Sequence, residues 1–190
     1  MVAPKLSPGP MVPPNQTIIH HYLANPAAAK DVIYSIVAAR SAFPSLGSKF
    51  ASIGHSQGGG AAWAIAQNHA KEKIEGYLGG VAISPTTDIR NVFTEEGHAA
   101  VNTYKEVEGG GAVEMGLFLP LALEGNLLRY GWRDNEWVIK YKDLIMKGGK
   151  EINRPLSVVH GEKDLLIDFT LTEKAVDDTA MNILILSWSS

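Results

Sequence analysis

The sequence contains no cysteine. Disulfides, thiol nucleophiles and thiolate metal sites are therefore all excluded. Positive charge is not in surplus either. Seventeen Lys and Arg stand against twenty Asp and Glu, for a formal net charge of −3, and no basic tract interrupts the chain. Such a balance gives nucleic acid nothing to hold. No window approaches the roughly 18 consecutive apolar residues of a membrane-spanning helix. The first residues, Met1-Val2-Ala3-Pro4-Lys5-Leu6-Ser7-Pro8, also lack the apolar run of a signal peptide, so the sequence assigns no compartment. His20-His21 has no Asp, Glu or His at ligand spacing, so no metal is expected, and no resident cofactor is expected either.

What is present reads as one folded domain. A chain of 190 residues with 45% hydrophobic and 19% charged residues is long enough, and apolar enough, to bury a core. Five prolines within the first sixteen residues predict an irregular arm. The pattern turns helical at Asn25-Pro26, with Asn25 as the N-cap and proline at the first helical position, where its lost N–H is not needed. Val32, Ile33, Ile36 and Val37 form a stripe at helical spacing, and the helix should stop near Phe43-Pro44. Strands are predicted at 49–53, 76–84, 156–160 and 183–186, with a small-residue helix after the first. Alternation of strands with helices predicts an α/β fold: a mostly parallel sheet with helices on its faces.

The stretch between the second and third strands is too long for a simple crossover. Residues 85–154 are read as a helical cap inserted into a core formed by 1–84 and 155–190. Leu117, Phe118, Leu121, Leu127 and Leu128 would give the cap an apolar inner face suited to an acyl chain. One or two ordinary packed helices would explain the same residues.

The chemistry is concentrated in Gly54-His55-Ser56-Gln57-Gly58. A Gly-x-Ser-x-Gly turn between a strand and a helix lifts the serine oxygen above the sheet, and flanking glycines relieve the crowding. Ser56 is thus the candidate nucleophile. The backbone N–H of Gln57, at the helix start, is the candidate oxyanion donor. A serine needs a histidine to take its proton and an acid to orient that histidine, in the chain order Ser, acid, His. The strand ending in His160-Gly161-Glu162-Lys163-Asp164 makes Asp164 the candidate acid, with Asp168 next. None of the six histidines follows Asp164. His55 is read as a neighbour of the nucleophile, His160 as part of the strand before the acid, and His69 as a contact at a helix C-terminus. His98 falls in the cap.

Tyr22-Leu23-Ala24-Asn25-Pro26, the extended elbow Gly54 to Trp63, Ala82-Ile83-Ser84-Pro85-Thr86-Thr87-Asp88 and His160-Gly161-Glu162-Lys163-Asp164 together resemble the fungal secretory lipases, capped α/β-hydrolases that cleave triacylglycerols and other esters. The resemblance runs over roughly 18–180. It implies Ser56 as nucleophile, Gln57 as oxyanion donor, Asp164 as acid and 85–154 as the cap. It also implies a truncated member: an incomplete α/β-hydrolase fold without the earlier strands and the later catalytic histidine of that family. A lipase or carboxylesterase of impaired activity is therefore expected, acting on a small-molecule or lipid ester. The sheet edge near Lys49 would be exposed and prone to self-association. Two other readings stand beside it: an acyl-protein-thioesterase-like hydrolase, and a non-catalytic pseudo-hydrolase that keeps the fold as a binding module.

Overall fold

The computed structural model describes residues 24–88, 134–145, 147–164, 167–179 and 183–188, with residues 137, 138 and 183–188 described by backbone alone. The elements run α1 (Asn25–Ala42), β1 (Phe50–His55), α2 (Gln57–Lys71), β2 (Tyr77–Ile83), α3 (Glu136–Ile145), β3 (Leu156–Gly161), α4 (Phe169–Asp177) and β4 (Ile183–Trp188). The four strands form one sheet in the order β1-β2-β3-β4, and every pairing is parallel. All four C-terminal ends therefore lie at one edge.

Helix α2 reads Gly-Gly-Gly-Ala-Ala-Trp-Ala-Ile-Ala-Gln from Gly58, and Gly59 to Gln67 are all buried. Side chains this small let α2 sit against β1 and β2 on one side and α1 on the other. Trp63 and Ile65 of α2, Leu156 and Val158 of β3, and Ala175 and Val176 of α4 share one core cluster. Helices α2 and α4 thus cover the same face of the sheet. The opposite face carries Ile53, paired with Val81, at 70% exposure, so among the described residues the helices flank one face and leave the other open.

Three local expectations are corrected. Asn25 is not the N-cap of α1. Ala24 holds that position without a side-chain bond, and Asn25 is buried, its Nδ2 donating to the Thr86 carbonyl at 3.3 Å. The tether to the chain after β2 outcompetes capping. The Val32, Ile33, Ile36, Val37 stripe is not the buried face either. Ala28 and Ala29 are buried instead, Val32 packs at the margin of the core, and Val37 is exposed. Closeness to the glycine-rich α2 favours alanine at that contact. Ile33, Ile36 and Val37 line an open groove of about 470 Å³ with Phe50 and Ile74, near the end of α2 remote from Ser56. His69 does not donate to the last carbonyls of α2. Its Nδ1 accepts the Ile74 N–H at 2.9 Å, which ties down the chain entering β2.

The chain returning to β3 is fastened through Lys147. Its N–H donates to the Thr87 carbonyl at 3.3 Å, and its carbonyl accepts from Gln67 Nε2 at 2.7 Å. The Lys147 side chain is itself buried, and burial, with nearby Lys150 second, holds its ammonium well below the ordinary lysine pKa. The unfolded lysine keeps its proton up to about the ordinary value of 10.5, so between the two pKa values the unfolded state binds more protons and stability rises with pH. Lys147→Met is expected to raise stability by on the order of 1 kcal/mol at neutral pH. The gain should shrink as pH approaches the ordinary lysine value, a trend that urea melts at several pH values would read.

Candidate active site

Ser56 stands between the last residue of β1 and the first of α2, with φ 55° and ψ −119°. Few L-residues accept a positive φ, and the cost is borne where neighbouring structure over-determines it. Two bonds do so here. The Ser56 N–H donates to the Ile83 carbonyl at 2.9 Å, carrying the ladder to β2 one residue past β1. The Ser56 carbonyl accepts the Gly60 N–H at 3.0 Å, the first bond of α2. Gln57 is the first residue of α2, where backbone N–H groups have no partner within the helix.

The glycines act differently from the expectation. A Cβ on Gly54 would run into the Gly58 carbonyl group, whereas a Cβ on Gly58 would meet nothing within 4 Å. The crowding is thus one-sided: Gly58 supplies the wall and Gly54 must clear it. Gly59 is the second tight position, since its Cβ would lie 2.7 Å from the Ile83 carbonyl oxygen. At Gly60 a Cβ would lie 2.6 Å from both Asn25 Oδ1 and Thr86 Oγ1. Gly59 and Gly60 are a docking surface for the chain leaving β2 and the start of α1, a requirement that the pentapeptide alone does not reveal.

Asp164 follows β3, and Ser56 follows β1, so both sit at the C-terminal edge with β2 between them. Two strand spacings separate those strands, on the order of 10 Å. At this edge lies an open cavity of about 390 Å³ lined by His55, Ile83, Ser84, Val159, His160, Gly161, Lys163 and Asp164. Its floor holds the second positive-φ residue other than glycine, Ser84 at φ 40°, whose N–H donates to the Val159 carbonyl at 2.7 Å. Two strained serines at one sheet edge mark it as the built end of the fold.

The Asp164 carboxylate is clamped. Oδ1 accepts the Ile167 N–H at 3.0 Å, and Oδ2 lies 3.2 Å from His160 Nε2. His160 is fully buried, with Nδ1 at 2.8 Å from Thr172 Oγ1 and Nε2 at 3.0 Å from the Ile167 carbonyl. It is therefore more than a strand residue, which sequence reading missed. The signal available was its position four before an aspartate. Asp168, the second candidate acid, is the N-cap of α4, its Oδ1 accepting from Thr170 N at 2.8 Å, and so has a structural occupation.

The described histidines are placed as follows. His55 is exposed and lines the cavity. His160 has both nitrogens engaged. His69 lies twelve residues along α2 from Gln57, roughly 18 Å at the helical rise. Burial, then Arg154 and Lys73, hold its pKa below the ordinary value. His20, His21, His98 and the apolar cap residues Leu117, Phe118, Leu121, Leu127 and Leu128 lie outside the described residues. Among the described residues no cluster of three metal-binding side chains occurs, and no helix is long and apolar enough to cross a membrane.

No family model matches the sequence, and no curated protein matches it. Solved structures do. The ligand-bound rice cell wall degrading esterase LipA from Xanthomonas oryzae is similar at a TM-score of 0.67 and 15% identity, over 92% of this chain and 60% of that one. A second crystal structure of the same esterase gives 0.65 and 15%, over 90% and 60%. An acylaminoacyl peptidase bound to Z-Gly-Gly-Phe-chloromethyl ketone gives 0.55 and 12%, over 85% of this chain and 22% of that one. The chain thus spans about 60% of the length of the esterase it matches. With a parallel sheet, helices packed on it and a strained serine between strand and helix, the chain has the α/β-hydrolase fold over that span.

Proposed function

We propose that the protein is a serine-dependent carboxylic ester hydrolase of the lipase or carboxylesterase kind, with Ser56 as nucleophile, the Gln57 N–H as one oxyanion donor and Asp164 as the acid. The observation that carries the reading is the positive φ of Ser56 between β1 and α2, within Gly-His-Ser-Gln-Gly. An unstrained serine at a helix start would not need two glycines with no room for a Cβ around it. Esterases among the structural neighbours support the same class. Residues 85–154 would form the cap, and the likeness to the fungal secretory lipases rests on the motifs given above.

Attack would form a tetrahedral intermediate on Ser56, whose oxyanion faces the N-terminus of α2. The proton leaving the Ser56 hydroxyl needs an imidazole between serine and Asp164. The cavity at the sheet edge, lined by Asp164 and by His55 beside Ser56, has the volume for one. Of the described histidines, His160 has both ring nitrogens engaged and His69 lies roughly 18 Å along α2 from Gln57, so neither supplies it, and slow ester hydrolysis without added imidazole is the expected result. The test is hydrolysis of a short-chain nitrophenyl ester, with and without added imidazole, by the chain and its Ser56→Ala variant. A rate that falls to the buffer background in Ser56→Ala supports the enzyme. Equal rates in both would favour the pseudo-hydrolase.

A further inference from the structure

The hydrogen-bond roles around His160 can be assigned without reference to its charge. Nε2 faces two groups that only accept, the Ile167 carbonyl at 3.0 Å and the Asp164 carboxylate at 3.2 Å. A lone pair aimed at both would be repelled by both, so Nε2 carries a proton. Nδ1 faces the Thr172 hydroxyl at 2.8 Å, which donates to a neutral ring and accepts from a charged one. Thr172 is as buried as His160, so neither group has water as an alternative partner. Phe169 meets the ring edge-on, with centroids 5.8 Å apart, and limits its rotation. The ring is thus held from α4 and presents one N–H to the turn that carries Asp164.

We infer that His160 is a positioning residue: its Nε2–H, bonded to the Ile167 carbonyl and 3.2 Å from Asp164 Oδ2, with Thr172 behind the ring, holds the turn that carries the Asp164 carboxylate at the sheet edge, and the same bonds bar His160 from serving as the base for Ser56. The Asp164 N–H donates to the Gly161 carbonyl at 3.1 Å, and the Ile167 N–H reaches Oδ1 at 3.0 Å. Both bonds are local to the turn. His160 instead couples it to α4, eight residues beyond Asp164 at Thr172. An acid that must orient an imidazole loses most of its value if it is displaced by about 1 Å, a shift that can cost on the order of a hundredfold in rate. The inference rests on the hydrolase reading for its catalytic meaning, while its geometric content stands apart from activity.

The experiment has two arms on the full chain. In the first, nitrogen-15 NMR of the histidine rings reads the tautomer. A proton on His160 Nε2 in slow exchange is expected, and its resonance should move in Asp164→Asn, where an amide replaces the charged acceptor. A ring protonated only at Nδ1, or an Nε2–H unmoved by Asp164→Asn, overturns the assignment whether or not the chain is active. In the second arm, the Ser56-dependent, imidazole-assisted ester rate is measured in Thr172→Val and Thr172→Ser. Valine keeps the shape and removes the hydroxyl, and should lower kcat by about tenfold or more with KM unchanged. Serine restores the hydroxyl and should restore kcat. Equal kcat in both variants, with both folded by their melts, contradicts the positioning role. A chain with no Ser56-dependent rate at all would instead count against the hydrolase reading, and the NMR arm would still decide the geometry.

Discussion

Replacing Gly54 by alanine should abolish the native elbow, while the same change at Gly58 should be harmless. The two positions look equivalent in a Gly-x-Ser-x-Gly pattern, and the structure makes them opposites. The added methyl at Gly54 would overlap the carbonyl group of Gly58. That carbonyl belongs to the first turn of α2, which is buried from Gly59 onward, so it has nowhere to retreat. Overpacking against backbone in a rigid site costs more than the usual 1–3 kcal/mol for an oversized core side chain, about 3 kcal/mol or more here. At Gly58 the methyl meets nothing within 4 Å and lies inside a helix, where alanine is favoured over glycine by up to about 1 kcal/mol. Urea midpoints of the two variants check this directly. A shift of similar size in both would mean that the elbow is packed otherwise.

Added imidazole should raise the ester rate of the chain saturably, by about tenfold or more, and only when both Ser56 and Asp164 are present. The reason lies in the spacing of the edge. Ser56 and Asp164 flank β2, with a cavity of about 390 Å³ against the Asp164 side and neither nitrogen of His160 released toward it. An imidazole at the Ser56 end of that edge would take the serine proton and lean on the carboxylate. Removing one member of a catalytic triad costs roughly four to six orders of magnitude in rate, so a base that completes one has a large effect to give. Asp164→Asn should keep the slow rate and lose the stimulation, because an amide cannot fix the tautomer of the bound base. Stimulation that persists in Asp164→Asn would point to imidazole acting in bulk solution.

How much of this could be read from the sequence varies with what each residue answers to. The elements of the sheet are legible because its strands are short apolar runs bounded by glycine and proline, as at Tyr77–Ile83 and Leu156–Gly161. The elbow was legible for the same local reason: strand, tight turn and helix leave a pattern within ten residues. Most of the failures are long-range. Asn25 reads as a cap until its partner, the Thr86 carbonyl sixty-one residues away, is known. Val37 reads as core until α1 is seen to bury its alanines against α2. His160 reads as an ordinary strand residue because its partner Thr172 lies on a helix not yet formed when the strand is read. Gly58 reads as sharing the clash that Gly54 alone suffers, since spacing does not say which of two neighbours must yield.

The most direct measurement is the site of covalent capture. The chain, supplied with imidazole, is incubated with an excess of a fluorophosphonate and the adduct is mapped by peptide mass spectrometry. The account predicts one phosphonylated residue, Ser56, whose adduct accumulates with time and is lost in Ser56→Ala while Ser84 stays unmodified. An adduct on another serine, or none on Ser56 in a chain that melts cooperatively, would contradict it.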